Sequence, residues 1–374
     1  MYEIFTQLIL QQYWWFLITL LGALFVFMMF IQGGQTLLYR LADTEEERDV
    51  LVASLGRKWE LAYTCLVMFG GALFAAFPLF YSVSFGGAYY VWMAILFCFI
   101  IQAVSYEYRK KENNFLGKRT YERFLFINGS LGVLLIGMAL GTLFTGGNFI
   151  RDEMNFSHWT LGSKGLEAAL VPFNVLFGLV LVFLARVQAE LYFLNNIENQ
   201  NIALKIKKQL KLDAVIFVVL YLVFAGMLLT MSGFSYNDEG FFIEEYKFFN
   251  NFLANPVLLV LFLIGTLLVL YAIFITLFKD NKKGIWFSGI GTIMVVIAVL
   301  SLLGFNNTAI YPSLADMQSS LNIENASASK FTLMIMSFVT LMIPIVLGYI
   351  IVVWRAMNRE KITVEEIQAD KDHY

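Results

Sequence analysis

One acidic residue lies where a long apolar segment begins. Glu60 follows Trp59, and Arg57 and Lys58 come directly before the pair. Ionisable residues within or beside membrane spans are rare and commonly functional. Glu60 could therefore take up protons from the adjoining aqueous phase, or it could be an interfacial acid paired with Arg57 or Lys58. The spacing alone favours the structural pair.

Two further acids have the same ambiguity. Glu107 ends an apolar segment and could belong to a proton pathway or pair with Lys110 or Lys111. Arg186 and Glu190 are four residues apart, which puts them on one face of a helix. That spacing predicts an ion pair between them.

The residues that usually hold metals are scarce. The two histidines, His158 and His373, both lie outside the apolar segments, and Cys65 and Cys98 are far apart in separate ones. Haem iron and zinc are mostly bound by His or Cys. The sequence therefore predicts no metal or haem held by this chain's own ligands. It contains no nucleotide-binding or hydrolase motif, so we expect no catalytic residues in it.

The composition is that of a membrane protein. Of the 374 residues, 59% are hydrophobic and 14% are charged, and the mean hydropathy is +0.70. Soluble domains are nearer 45–50% apolar and about 25% charged. A nucleic-acid partner, a disordered chain and an ordinary cytosolic enzyme are excluded.

Nine apolar segments are long enough to cross about 30 Å of hydrocarbon as helices. The predicted spans are 14–32, 59–82, 86–105, 123–146, 166–188, 213–232, 253–278, 285–305 and 331–354. We predict an all-α membrane protein in one polytopic domain, 1–374, with two four-helix-bundle-like halves plus one extra helix.

The positive charges indicate the orientation. All but four of the 26 Lys and Arg residues fall in alternate loops and the C-terminal tail; the exceptions are Arg151, Lys164, Lys247 and Lys330. Positive residues concentrate on the cytoplasmic side of a membrane protein. The N-terminus is therefore predicted to be periplasmic and the C-terminus cytoplasmic.

Several segments, in order along nearly the whole chain, resemble subunit II of cytochrome bd quinol oxidases. They are Trp59-Glu60, the Gly-Gly-Ala-Leu-Phe-Ala-Ala run at 70–76, the Tyr-Glu-Tyr-Arg-Lys-Lys run at 106–111, the glycine pattern at 136–149 and the Tyr-Pro-Ser run at 311–313 with the segments that follow it. The runs at 70–76 and 311–313 are the most specific.

The resemblance implies a terminal oxidase of the bacterial inner membrane. Such enzymes oxidise quinol, reduce dioxygen to water and take protons from the cytoplasm. Haems b558, b595 and d would lie in a partner, subunit I, with which this chain would form a heterodimer. A structural quinone and a small single-span accessory subunit occur in some members.

The resemblance also assigns roles to residues. Glu60 occupies the position of the family's proton-channel carboxylate, and Glu107 is a weaker candidate for the same path. Family-motif positions are Trp59, Gly70, Gly71, Gln32 and Gln35.

The chain departs from the family's usual pattern at several of these places. Gln32 and Gln35 replace two acids, and Gln102 stands where an Arg is often found. Lys58 occupies a position that is commonly His, and Cys65 one that is commonly Trp. We expect the lost charges to compensate one another.

A different class of function fits the hydropathy as well. A stand-alone polytopic secondary transporter would also have many apolar spans, but transporters usually carry polar groups or broken helices at the midplane. The sequence shows few of either, which favours a subunit that packs against another membrane protein.

Overall fold

The computed structural model describes residues 6–111, 114–357 and 361–363. The first helix begins where Thr6 caps it, since the Thr6 hydroxyl accepts a hydrogen bond from the Ile9 N–H. The helices of the first half are α1 (Gln7–Met28), α2 (Phe30–Gln35), α3 (Leu38–Leu41), α4 (Glu45–Gly56), α5 (Trp59–Ala76), α6 (Pro78–Tyr81), α7 (Tyr89–Tyr108), α8 (Lys118–Ile127) and α9 (Val133–Thr145). Two π-helical segments, Ser82–Gly87 and Asn128–Gly132, connect α6 to α7 and α8 to α9.

The second half begins after a short hairpin of β1 (Phe149–Arg151) and β2 (Ser157–Trp159). Proline occupies the first turn of two of its long helices, where no N–H is needed. Its elements are α10 (Pro172–Asn196), α11 (Gln200–Thr230), β3 (Gly233–Asn237), β4 (Gly240–Glu244), α12 (Lys247–Ala254), α13 (Pro256–Phe278), α14 (Gly284–Leu300), α15 (Lys330–Val339) and α16 (Ile343–Met357).

The prediction of an all-α membrane protein is confirmed. Within the described ranges, eight helical segments are long and apolar enough to cross a membrane, and α14 is a shorter apolar helix of 17 residues. Together they correspond in number to the nine predicted spans.

The observed helices differ from the predicted spans mainly at the inner ends. Helix α10 continues to Asn196, beyond the predicted end at 188, and α11 begins at Gln200 rather than 213. Hydropathy ends a span where polar residues begin. Here Gln188, Glu190 and Asn196 are buried among other helices, so the helix continues through them.

Several of the most extensive helix contacts cross between the first and second halves of the chain: α9 packs on α10 and α1 on α14, while α15 contacts α1. The division into two four-helix-bundle-like halves stays a prediction. Helix α9 lies against α10 so closely that a Cβ on Gly137 would be 2.5 Å from the Gly178 Cα. Small residues at such crossings let two helix backbones touch.

The segment between α1 and α4 is held tightly inside the bundle. Helix α2 lies between α10 and the π-helical segment before α9. A Cβ on Gly33 would be 2.1 Å from the Ala185 carbonyl oxygen, and one on Gly129 would be 2.2 Å from that of Gln32. Glycine at these positions brings the side chains of α2 within reach of three other helices.

Candidate functional site: polar and charged groups near the helix ends

Glu60 lies in the first turn of α5 and is exposed at the surface of the chain. Its backbone carbonyl accepts a hydrogen bond from the Thr64 hydroxyl at 2.8 Å. Among the described residues its carboxyl group has no ion-pair partner, so the pairing with Arg57 or Lys58 is not formed. The carboxylate is therefore accessible to groups outside this chain that contact α5.

Trp59 ties the start of α5 to α7. Its ring stacks on that of Tyr106, with 5.6 Å between centroids and 15° between planes. Its buried indole N–H has no acceptor in the described part of the chain. The neighbouring Lys58 is also buried, and its ammonium group lies 5.4 Å from the Tyr192 ring and 5.1 Å from the Trp354 ring.

Glu107 lies near the end of α7 and is exposed. The expected pairing with Lys110 or Lys111 is absent in the described ranges. Lys110, in the turn after α7, instead lies 3.8 Å from the Asp49 carboxylate. Glu60 and Glu107 thus both present free carboxyl groups, one at the start of α5 and one at the end of α7.

The paired glycines of α5 face outward. A Cβ on Gly71 would meet nothing within 4 Å, and one on Gly70 would be in ordinary contact with the Phe85 ring at 3.6 Å. Close packing within this chain therefore does not require glycine at either position.

The two glutamines of α2 belong to a buried group that we call the amide cluster: Gln32, Gln35, Gln102 and Asn128. The Gln102 Oε1 atom accepts hydrogen bonds from Gln32 Nε2 at 3.0 Å, Gln35 Nε2 at 2.7 Å and Asn128 Nδ2 at 2.5 Å. Gln35 also donates to the Tyr106 hydroxyl at 3.1 Å and accepts from Asn128 at 2.9 Å. The positions predicted to have lost charge thus form one neutral network.

The amide cluster has hydrogen-bonding capacity to spare. Gln32 Oε1, Gln102 Nε2 and Asn128 Oδ1 are buried and lack partners among the described residues. Such an unpaired atom costs about 1–3 kcal/mol. These three atoms are available to further hydrogen-bond partners such as water.

A second group, which we call the ionic cluster, lies where α7 ends and α8 begins. Arg109 is 1% exposed and donates to Glu122 Oε1 from Nε at 3.1 Å and from Nη2 at 2.7 Å. It also lies 2.5 Å from Asp49, and Arg48 lies 3.7 Å from Glu122. Tyr39 donates to Glu122. Partial burial, followed by the Glu122 hydrogen bond, raises the pKa of Tyr39 to about 12, so its hydroxyl remains a donor.

Sequence reasoning missed the ionic cluster because its members come from distant segments. Arg109 and Glu122 are separated by 13 residues, and Asp49 is on α4. One signal was available: Glu122 is the only acid between Asn114 and Arg151, among several basic residues.

The predicted ion pair of Arg186 with Glu190 is wrong. Arg186 binds Asp213 on α11, donating from Nε to Oδ2 at 3.0 Å and from Nη2 to Oδ1 at 3.2 Å. Gln209 adds a hydrogen bond to Asp213 at 3.2 Å. Glu190 is fully buried, and neither of its carboxyl oxygens receives a hydrogen bond from the described residues.

Among the described residues, no group of three or more His, Cys, Asp or Glu could hold a metal ion. His158 is exposed on β2, outside the helices, Cys98 is isolated on α7, and His373 lies outside the described residues.

Comparison with known proteins identifies the family. A profile described as "Cytochrome bd terminal oxidase subunit II" matches residues 10–357. The chain belongs to this family. It is 25% identical to the cytochrome bd-I ubiquinol oxidase subunit 2 of Escherichia coli (strain K12) over 383 residues, which covers 96% of this chain and 97% of the relative. It is 26% identical to the probable cytochrome oxidase subunit 2 of Haemophilus influenzae, covering 90% and 91%.

The fold agrees with this membership. One chain of the bd oxidase from Geobacillus thermodenitrificans superposes with a TM-score of 0.65 at 12% identity, covering 94% of this chain and 99% of that one. The protein is thus a multi-pass subunit of a cytochrome bd-type terminal oxidase in the bacterial inner membrane, within an oxidoreductase complex that contains haem and a subunit I. Nothing in the comparisons supports a stand-alone transporter.

Proposed function

We propose that this subunit supports quinol oxidation and the reduction of dioxygen to water by conducting protons from the cytoplasm. Haems b558, b595 and d would lie in subunit I; the histidine of this chain within the described ranges, His158, is exposed on β2 outside the helices. The observation that carries the proposal is Glu60, an exposed carboxyl group without a partner at the end of an otherwise apolar helix face.

The outward face shared by α5 and α7 is suited to a protein partner. Between Glu60 and Glu107 neither helix carries a charged residue. Large apolar side chains are exposed there: Tyr63, Val67, Phe74, Met93, Leu96, Phe97, Ile100 and Val104. A carboxyl group facing lipid is costly, so Glu60 would face subunit I or a polar path beside it.

The outward face of α11 differs. Its exposed side chains in the apolar part of the helix are aliphatic: Leu212, Val215, Val219, Leu222 and Val223. This face suits contact with lipid, and the contrast favours α5 and α7 as the side that meets subunit I.

Groups inside the bundle would extend the path. Trp59, next to Glu60, stacks on Tyr106, whose hydroxyl accepts from Gln35 of the amide cluster. Arg109 of the ionic cluster lies one turn beyond Tyr106 on the same helix. Glu60 and, as a second acid, Glu107 would thus exchange protons beside a continuous set of polar groups.

An apolar cleft supports the proposal of a structural quinone. The cleft lies between α1, α9, α10, α11, α13 and α14. Its walls include Leu140, Phe177, Leu181, Phe224, Val269 and Val299. An isoprenoid tail could fill such a cleft; organic extraction of the purified complex, followed by mass spectrometry, would identify it.

A small single-span accessory subunit is also proposed as a partner. The helical segment of α15 and α16 is largely uncovered by the rest of the chain, and Phe331, Val339, Leu341 and Val352 are exposed on it. Mass spectrometry of the intact complex would detect a third polypeptide.

The replacement of Glu60 by Gln tests the proton-path role. The Glu60→Gln variant keeps the shape of the side chain and loses its capacity to exchange protons. We expect quinol-dependent oxygen uptake by the purified complex to fall by roughly ten-fold, with the haem content unchanged.

Glu46→Gln is the matched control, because Glu46 is an exposed acid of α4 on the same side of the bundle. Its activity should equal that of the unmodified complex. Unchanged turnover of Glu60→Gln across the pH range would remove Glu60 from the path.

A further inference from the structure

Glu190 is a buried acid whose carboxyl group lacks, within the described ranges, the hydrogen-bond donors that would stabilise a negative charge. Its side chain lies on α10, 0% exposed, and no described donor reaches either carboxyl oxygen. Arg186, one turn earlier on α10, holds Asp213 of α11 at 2.9 Å, which places a second carboxyl group next to Glu190. Two carboxyl groups, 0% and 1% exposed, therefore lie beside a single guanidinium.

The charges of this site balance only if one proton is present. Arg186 compensates the charge of Asp213, which already accepts three hydrogen bonds, two from Arg186 and one from Gln209. Arg186 and Asp213 are the charged groups that act on Glu190. The other neighbouring helices contribute neutral groups: Thr36 on α2 contacts Arg186, and Thr292 on α14 contacts Gln188.

An ionised Glu190 would thus add a second, uncompensated negative charge in a buried place. A buried carboxylate without donors is strongly unfavourable and usually becomes neutral. A protonated Glu190 can donate its O–H to Asp213, so the pair of acids needs no second cation.

We propose that Glu190 and Asp213 form a proton-binding site that holds one proton between their carboxyl groups beside Arg186. The site binds a proton at a carboxyl oxygen and releases it from the same O–H bond, so no other bond changes. Its use during turnover rests on the proton-conducting function proposed above, whereas its occupancy by a proton does not.

The location of the site suits a relay. The Arg186 side chain is 13% exposed, and Gln209 is partly exposed, so solvent reaches the edge of the site. On its other side Arg186 donates to the Thr36 hydroxyl at 3.1 Å. Thr36 directly follows Gln35 of the amide cluster along the chain. The site thus lies between solvent and the amide cluster.

Infrared difference spectroscopy of the intact oxidase complex tests the inference. The protonated carboxyl C=O stretch is separate from carboxylate bands and moves when the exchangeable proton is replaced by deuterium. We expect such a band in the unmodified complex and its loss in Glu190→Gln, which can still donate to Asp213 and should fold. The exposed Glu198→Gln is the control and should retain the band.

Asp213→Asn provides a second variant. Here the Glu190 carboxylate would be the only anion near Arg186, so we expect Glu190 to ionise and the band to disappear without removal of Glu190. A band that persists unchanged in both Glu190→Gln and Asp213→Asn would overturn the proton-binding site.

Oxygen uptake measured on the same samples separates the two proposals. If the band is lost in Glu190→Gln but quinol-dependent turnover of the unmodified complex is absent, the proposed function fails and the site stands. If the unmodified complex turns over and no band responds to Glu190→Gln, the site fails and the proposed function stands.

Discussion

Buried and exposed ion pairs of this chain should contribute differently to its stability. Arg109 and Glu122 are both 1% exposed, whereas the side chains of Lys118 and Glu45 are 42% and 51% exposed. A buried charge that loses its partner stays desolvated, whereas an exposed one returns to water.

The Glu122→Gln variant tests the ionic cluster. It removes the carboxylate that accepts two hydrogen bonds from Arg109 and leaves that guanidinium with Asp49 as its remaining anion. We expect a loss of about 3 kcal/mol in the free energy of unfolding, measured by thermal denaturation of the purified complex.

Lys118→Ala is the control for this variant, because it breaks the exposed pair with Glu45. Its expected cost is about 0–1 kcal/mol. Equal melting temperatures for Glu122→Gln and Lys118→Ala would contradict a stabilising role for the buried pair.

Gln102 is the central residue of the amide cluster, because its Oε1 atom accepts three hydrogen bonds. Gln102→Leu leaves those donors without their common acceptor and should destabilise the complex by about 3 kcal/mol. Gln102→Glu retains an acceptor for all of them and should be the more stable of the two in denaturant titration. The reverse order would show that the three contacts do not stabilise the fold.

At the scale of helices, the outward face of α5 is the face that we propose meets subunit I. A Cβ on Gly71 meets nothing within 4 Å, so Gly71→Leu leaves the fold of the subunit intact. If subunit I packs on this face, the added side chain should separate the subunits. The expected result is reduced co-purification of haem with the tagged variant.

Gly226 of α11 is a matched position, since a Cβ there also meets nothing within 4 Å. Gly226→Leu should retain the full haem content because that face suits lipid. Loss of haem from Gly226→Leu and not from Gly71→Leu would reverse the assignment of the two faces.

Helices α10 and α11 show why span boundaries are hard to predict. Polar residues at the end of an apolar segment suggest the membrane surface, yet Gln188 and Asp213 are buried. Gln188 donates to Thr292, and Asp213 binds Arg186. Their burial is stabilised by partners on other helices, which a sliding average of hydropathy does not include.

For the whole molecule, the orientation in the membrane remains a prediction from the distribution of Lys and Arg. A fluorescent protein fused to the C-terminus should fold and fluoresce, because that end is predicted to be cytoplasmic. Alkaline phosphatase inserted at Asn155, between β1 and β2, should be active because this loop is predicted to be periplasmic. A dark C-terminal fusion together with an inactive phosphatase would invert the topology.

The all-α membrane fold and the cytochrome bd subunit II family can both be recognised from the sequence. Hydropathy sums local transfer free energies, and motif residues such as Trp59-Glu60 and Gly70-Gly71 are contiguous, so neither signal depends on how the helices pack. The pairing of charges becomes visible only when the helices are packed: Arg186 pairs with Asp213 rather than Glu190. Such pairing depends on which helix faces pack together, and residues distant in sequence then supply the partners that a buried charge requires.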